Sequence, residues 1–145
     1  MKKLILSISS LLIAATSWAD SDLNSTKWKT IDDSSGKPVF IIEMNKIADK
    51  TYNGKIVEVF NPLNKNSCET CKGSYKNKNL IGAVVINNLK HIEGNKFGDG
   101  KIVDPESGNT YSLQGELKDN GKMLHMRGFL GISLLGRNQN WIRVN

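Results

Sequence analysis

The sequence contains two cysteines, Cys68 and Cys71, in the stretch NSCETCKG at residues 66–73. Cysteines at this spacing occur in thiol redox centres, in halves of zinc sites and in short structural disulfides. A redox centre of the thioredoxin type places its first cysteine at a helix N-terminus, which lowers the pKa of the thiol. The residues after Cys71, KGSYKNKN, have no apolar stripe, so no such helix is expected. Lys65 and Lys72 would favour a thiolate, so a thiol oxidoreductase remains one alternative.

A zinc site would need four ligands. The two histidines of the chain, His91 and His125, do not have the spacing to the cysteine pair that zinc fingers show. The acidic stretch DDSSG at residues 32–36 lacks the spaced oxygen ligands of a calcium loop. The sequence therefore predicts neither a metal site nor a cofactor.

Residues 1–19 have the features of a secretory signal peptide. Lys2 and Lys3 precede an apolar stretch, and Ser17 and Ala19 are small residues at the −3 and −1 positions of a cleavage site. The apolar stretch is shorter than the about 20 residues that span a bilayer, so we expect no transmembrane segment in the mature form. We therefore expect one domain, residues 20–145, in a periplasmic or secreted protein.

Export bears on the cysteine pair, because an even number of cysteines normally oxidises in such compartments. This favours a Cys68–Cys71 disulfide. A loop this short should gain only about 2 kcal/mol from the crosslink, so the bond is expected to shape the loop more than to stabilise the domain.

The densest basic patch lies at residues 61–79, which contain four lysines, no arginine and the single aromatic residue Tyr75. A nucleic-acid-binding surface would interleave arginine and aromatic side chains. The patch is therefore expected to be a solvated loop, and no nucleic-acid partner is predicted.

The remaining residues of chemical interest do not converge on a catalytic set. The stretch GISLLG at residues 131–136 has the spacing G-x-S-x-x-G among strands, so Ser133 is expected in a turn and not as a nucleophile. Asp104 and Glu106 are also assigned to a turn. His125 and Arg127 share one face of a strand. They are either surface residues or ligand contacts at a barrel mouth, where Arg127 would bind a carboxylate or phosphate.

These residues must be positioned by strands, because no segment shows sustained helical periodicity. Short runs rich in Val, Ile, Phe and Tyr are separated by Gly, Asn, Asp and Pro. The predicted strands are residues 26–31, 37–44, 52–60, 80–88, 95–104, 109–118, 122–130 and 137–145.

Three of these strands carry specific expectations. In the first, Trp28 and Thr30 share a face. The continuous apolar run of residues 37–44 suggests a strand covered on both faces. In residues 52–60, strict alternation leaves Glu58 among apolar neighbours, so the inward face stays open.

The predicted fold is all-β, an eight-stranded antiparallel up-and-down barrel. Parallel pairing would need crossover connections that the short turns do not provide. Closure removes the sheet edges and leaves an interior filled by side chains or by one small ligand.

Several stretches together resemble a widespread family of secreted bacterial proteins, a domain of unknown function with a lipocalin-like barrel. They are WKTIDDSSGKPVF, YNGKIVEVF, CETCKG, IGAVVI, GKIVDPESGNTYS and RGFLGISLLGRNQNWIRV. The resemblance extends in order over nearly all of residues 20–145. The resemblance implies a fold and an exported location but no activity.

The resemblance also implies a structural closure of the barrel. Lipocalin-like barrels are often closed by a Trp of the first strand that packs against an Arg of the last. Trp28 and Arg143 stand at these positions, with Arg137 a competing candidate. One departure is Thr26, which stands where lipocalins usually have Gly.

The expected function is that of a non-enzymatic exported barrel that binds a small apolar or anionic ligand. The alternative is an envelope protein–protein interaction module or inhibitor that presents the lysine-rich loop at residues 61–79.

Overall fold

The computed structural model describes residues 21–132 and 134–145, so the predicted signal peptide and Ser133 lie outside the described residues. Eight strands pair in sequence order and close into an antiparallel barrel, in which β8 is hydrogen-bonded to β1. The predicted fold class is confirmed. The strands are β1 Lys27–Ile31, β2 Pro38–Ala48, β3 Thr51–Val59, β4 Val84–Glu93, β5 Lys96–Val103, β6 Thr110–Lys118, β7 Met123–Phe129 and β8 Gly136–Arg143.

The connections alternate between the two ends of the barrel because consecutive strands are antiparallel. We call the end with the β1–β2, β3–β4, β5–β6 and β7–β8 loops the open end. The β3–β4 loop is the longest and includes two 3₁₀ turns, Pro62–Asn64 and Gly73–Tyr75. The opposite, closed end has three tight turns.

Residues 21–26 run along the closed end and cover it. The Tyr52 hydroxyl donates to Asp22 Oδ1 at 2.8 Å, and the backbone N–H of Lys46 donates to Asn24 Oδ1 at 2.9 Å. Leu23 is fully buried between these ties. The segment therefore links β2 and β3 at the closed end and covers the part of the core that lies there.

The third strand contains a β-bulge, which explains why the alternation of its apolar and polar residues left the inward face open. Tyr52 and Ile56 are buried, and so is Val59, which would face outward under strict alternation. The pairing shifts between Ile41↔Glu58 and Ile42↔Ile56, so β3 has one extra residue at this point. Such a bulge reverses the facing of the residues beyond it. Glu58 is consequently exposed and Val59 enters the core.

The fourth strand begins and ends later than predicted. Residues 80–83 form a turn, in which the backbone N–H of Ile81 donates to Asn79 Oδ1 and Gly82 has φ +88°. The strand then continues through Asn87 and Asn88, where the sequence predicts its end. Asn88 has φ 55° and donates its backbone N–H to Asn53 Oδ1 at 2.9 Å. The Asn53 side chain of β3 thus accepts the backbone hydrogen bond at the irregular position, Asn88.

The second strand also differs from its prediction. It continues to Ala48, four residues beyond the predicted end at Met44. Its inward side chains Ile42 and Met44 are buried, whereas Val39 and Ile41 are only half-buried. The apolar run therefore has one core face, not two.

Trp28 occupies the closed end of the core. Trp28 and Thr30 share a face as expected, and the structure shows that this is the buried inner face. The Trp28 indole N–H donates to Thr26 Oγ1 at 2.7 Å, and the Thr26 hydroxyl donates to the Leu23 carbonyl at 2.6 Å. Thr26 therefore satisfies a buried donor that a glycine would leave without this partner. The departure from the lipocalin pattern has a structural role.

Arg143 lies over the Trp28 ring, with its Cζ atom 5.7 Å from the ring centroid. Its Nη1 group donates to the Gly121 carbonyl at 3.4 Å. Because the guanidinium is exposed, the cation–π contact is worth about 0.5–1 kcal/mol. Arg137 begins the same strand, about 20 Å away at 3.3 Å per residue, and so does not take this position.

We expect Thr26→Val to lower the free energy of unfolding by about 1–3 kcal/mol, because the buried indole N–H loses its acceptor. Thr26→Ser keeps the hydroxyl and should cost much less. Chemical denaturation of both variants would test this, and a larger loss for Thr26→Ser than for Thr26→Val would show that the methyl group and not the hydroxyl matters.

Candidate functional site

A cavity of about 370 Å³ lies in the barrel at its open end. Its inner wall is apolar and includes Ile42, Ile56, Leu113, Met126 and Trp141. Its rim is polar and includes Thr30, Asp32, Asp104, Glu106, Tyr111, Arg137 and Gln139. A concave apolar site with a few polar groups at one end is the usual form of a small-molecule site.

One inward position of β7 beside the cavity, Gly128, has no side chain. A Cβ atom at Gly128 would lie 3.7 Å from the Tyr111 Cβ and 4.0 Å from the Ile102 Cγ2, which is ordinary contact. Nearer the closed end the glycines are tightly covered. A Cβ atom at Gly100 would lie 2.9 Å from the Leu89 Cδ1, and one at Gly115 would lie 2.7 Å from the Met126 Sδ. The interior is thus filled by side chains toward the closed end and contains the cavity toward the open end.

Arg137 and Gln139 are the polar residues that β8 places at the rim. The Arg137 Nε group forms an ion pair with Asp33 Oδ2 at 2.8 Å across the β1–β2 loop. Gln139 Oε1 accepts a hydrogen bond from the Trp141 indole N–H at 3.0 Å. Both side chains are therefore oriented by neighbours.

Two loops of the rim have the same turn. In DDSSGK the Asp32 carboxylate accepts from the backbone N–H of Ser34, and in DPESGN the Asp104 carboxylate accepts from that of Glu106. In each loop a glycine with positive φ, Gly36 or Gly108, donates its N–H back to the carbonyl of the first aspartate. The turn role expected for Asp104 and Glu106 agrees with this geometry.

The Asp32 carboxylate is held ionised by its own turn. The Ser34 hydroxyl donates to Oδ1 at 2.6 Å, and the Ser35 backbone N–H donates to the same atom at 2.7 Å. The Ser34 and Ser35 hydrogen bonds lower the pKa of Asp32 from 3.8 to about 2.

His125 and Arg127 lie on the outer face of β7, which corrects the expectation that they line the barrel mouth. His125 Nδ1 lies 2.6 Å from Asn140 Oδ1, and the Arg127 Nη1 group donates to Asn138 Oδ1 at 2.8 Å. Their neighbours Leu124 and Met126 are buried, so strand alternation turns His125 and Arg127 outward.

The sequence contains a signal that Arg137, and not Arg127, lies on the inward face of its strand. Trp141 is the large apolar residue of the last strand and must face inward. Arg137, Gln139 and Arg143 share its parity, and the structure places them at the rim or over Trp28. The parity of the last strand therefore separates Arg137 from Arg127.

The cysteines form a disulfide, and both are buried in the hydrophobic core. The backbone N–H of Lys72 donates to the Pro105 carbonyl at 3.1 Å, which ties this part of the β3–β4 loop to the β5–β6 loop. Thiol exchange requires an accessible sulfur, which this burial does not provide. The four lysines of residues 61–79 are exposed, and their binding to a partner protein stays a prediction.

His91 lies near the closed end, where its ring packs against Phe97 at 5.2 Å. Residues 21–132 and 134–145 bring no three His, Cys, Asp or Glu side chains together in a group that could hold a metal. In the same part of the chain, no helix has the length and apolar character to cross a membrane.

The closed barrel, the covered lower end and the cavity at the open end define a lipocalin-like fold. The chain belongs to the bacterial family described as "Uncharacterized protein conserved in bacteria (DUF2147)", whose model matches residues 26–143. The family resemblance noted in the sequence is thereby confirmed.

A solved structure with the same fold is protein HP1028 from Helicobacter pylori, which is described as belonging to the lipocalin family. The TM-score is 0.70 at 15% sequence identity, and the alignment covers 86% of this chain and 84% of that chain. At this identity the similarity establishes the fold alone. No curated protein matches the chain significantly.

We expect the Cys68–Cys71 bond to resist dithiothreitol in the native protein and to be reduced rapidly in guanidinium chloride, because its sulfur atoms are buried. Thiol titration over time would measure both rates. Equal rates in the two conditions would show that the loop opens in the native state.

We expect Asp32 to titrate near pH 2, and Ser34→Ala to raise that pKa toward 3.8. Because the pKa is lowered on folding, the contribution to stability is complete above pH 3.8 and is lost as pH falls through about 2. The ¹³C shift of the Asp32 carboxyl measures this, and a midpoint near 3.8 in the unmodified protein would contradict it.

Proposed function

We propose that this protein is an exported, non-enzymatic carrier that holds one small amphipathic molecule in the cavity at the open end of the barrel. The observation that carries the proposal is an apolar cavity whose rim displays Arg137 and Gln139. The lipocalin-like fold supports it, because barrels of eight strands can hold one small ligand.

The size of the cavity limits the ligand. At about 30 Å³ for each water-sized group, 370 Å³ accommodates roughly a dozen such groups. The apolar inner wall suits a hydrocarbon portion of this size, for which burial contributes about 0.8 kcal/mol for each CH₂ group. A medium-chain fatty acid has these dimensions.

The polar end of the ligand would meet Arg137. Its guanidinium donates to Asp33 through Nε and has further N–H groups for an acceptor. The nearby Asp32 and Asp104 carboxylates accept hydrogen bonds within their own turns. A carboxylate or phosphate head is therefore best matched by Arg137, in place of the Arg127 contact suggested by the sequence.

The non-enzymatic part of the proposal rests on what surrounds the cavity. Its lining is dominated by apolar side chains, and the buried disulfide lacks the accessibility that thiol chemistry requires. Export is supported by the disulfide itself, which persists in oxidising compartments.

Native mass spectrometry of protein purified after export is the first measurement. A small-molecule adduct that is released on unfolding would identify the cargo class. A bare chain that also fails to bind decanoate would sink the carrier proposal and favour the partner-binding alternative at residues 61–79.

In solution we expect Arg137→Gln to weaken decanoate binding by about tenfold or more, since a hydrogen bond to a charged group contributes about 1.5–3 kcal/mol. The same variant should leave binding of the neutral analogue 1-decanol nearly unchanged. Calorimetric titration measures both affinities.

The matched control for charge is Arg127→Gln, which removes an arginine from the outer face and should not affect decanoate binding. The matched control for space is the pair Gly128→Leu and Gly128→Ala. The leucine occupies part of the cavity with its isobutyl group and should weaken binding strongly, whereas the alanine makes only ordinary contacts and should retain it. Circular dichroism verifies that each variant is folded.

A further inference from the structure

The β7–β8 loop, residues 130–135, is the most apolar exposed segment among the described residues. We call it the apolar tip. Leu134 is 83% exposed, Leu135 71%, and Leu130 and Ile132 59% each. Soluble proteins rarely expose several large apolar side chains together unless the patch binds something. The tip lies at the open end, beside the cavity.

The hairpin that carries the tip is basic. Residues 121–145 contain no Asp or Glu and include Lys122, Arg127, Arg137 and Arg143. Arg127 lies on the outer face of β7, three residues before the tip, and Phe129 between them is half-buried on the same face. Apolar side chains at the end of a hairpin, with arginine behind them, match the acyl region and the phosphates of a bilayer surface in that order.

The charges of the other loops set the orientation. The β1–β2 and β5–β6 loops beside the tip are acidic, with Asp33 engaged by Arg137, and the lysine-rich β3–β4 loop lies across the open end. An anionic surface would therefore be met most favourably by the basic β7–β8 hairpin and by the lysines of the β3–β4 loop.

We propose that the apolar tip inserts into the headgroup and upper acyl region of a phospholipid bilayer that contains anionic lipids. The open end of the barrel then faces the membrane. The inference goes beyond the carrier proposal and does not depend on the cavity, because none of the described residues of the tip lines it.

The test is co-sedimentation of the protein, purified after export, with vesicles of phosphatidylglycerol and phosphatidylethanolamine, and separately with phosphatidylcholine vesicles. We expect binding to the anionic vesicles that weakens with salt. Leu134→Ser combined with Leu135→Ser should weaken it by at least about tenfold, since each leucine loses its burial. Arg127→Gln should weaken it by about fivefold, as for one basic residue near an anionic surface.

The matched control is Ile47→Ser, which removes an apolar side chain that is 50% exposed near the closed end and should leave vesicle binding unchanged. A second readout is Leu134→Trp, whose fluorescence should shift to the blue on binding because the indole enters the interface.

Three outcomes would overturn the inference. The first is absence of binding to anionic vesicles, or equal binding by the double leucine variant. The second is equal binding to phosphatidylcholine, which would remove the role of charge. The third is a concentration-dependent dimer in analytical ultracentrifugation that the double leucine variant abolishes, which would make the tip a contact between two copies. Solution binding of decanoate is a separate measurement, so it can succeed or fail independently.

Discussion

Closure of the barrel between β1 and β8 is the constraint on which the rest of the structure depends. The seam is short, because the paired residues are Trp28↔Arg143 and Lys29↔Ile142. Its lower end is supported by side chains, with Trp28 buried beneath Arg143 and hydrogen-bonded to Thr26. A small number of backbone hydrogen bonds is thus reinforced by one large buried aromatic residue and its polar partner. If this seam opened, β1 and β8 would become free edges. Closure would then no longer fix which face of each strand lies inside the barrel.

Once the barrel is closed, the interior divides by side-chain volume. Toward the closed end, large residues such as Leu89 and Met126 press against glycines of neighbouring strands, where a Cβ atom would collide. Toward the open end, a Cβ atom at Gly128 would make only ordinary contacts with Tyr111 and Ile102. Glycine therefore occurs both at closely packed positions near the closed end and beside the cavity near the open end. The difference lies in which side chains of the neighbouring strands lie next to it.

The sequence predicts the number of strands and their antiparallel order, because alternation and turn residues are local signals. The packing of Arg143 on Trp28 was implied by the family resemblance and not by the local pattern. The prediction from sequence fails where the conformation of one strand depends on its contacts with another. The bulge in β3 depends on pairing with Ile41 and Ile42 of β2, and β4 passes through Asn88 because Asn53 of β3 binds the bent backbone. Neither partner is visible in the local pattern. At the site, Arg127 and Arg137 have equal chemistry, and only the parity of each arginine within its own strand distinguishes them.

Parity and depth together explain how two neighbouring strands give three arginines three different environments. Arg143 and Arg137 share the inward parity of Trp141 but lie at opposite ends of β8, so one covers the Trp28 ring and the other stands at the cavity rim. Arg127 has the outward parity of β7 and lies behind the exposed leucines of the loop. A shift of β8 by one residue would move Arg137 and Arg143 outside and turn Asn138 and Asn140 inward. The register of β8 against β7 and β1 therefore determines both the closure of the barrel and the chemistry of its open end.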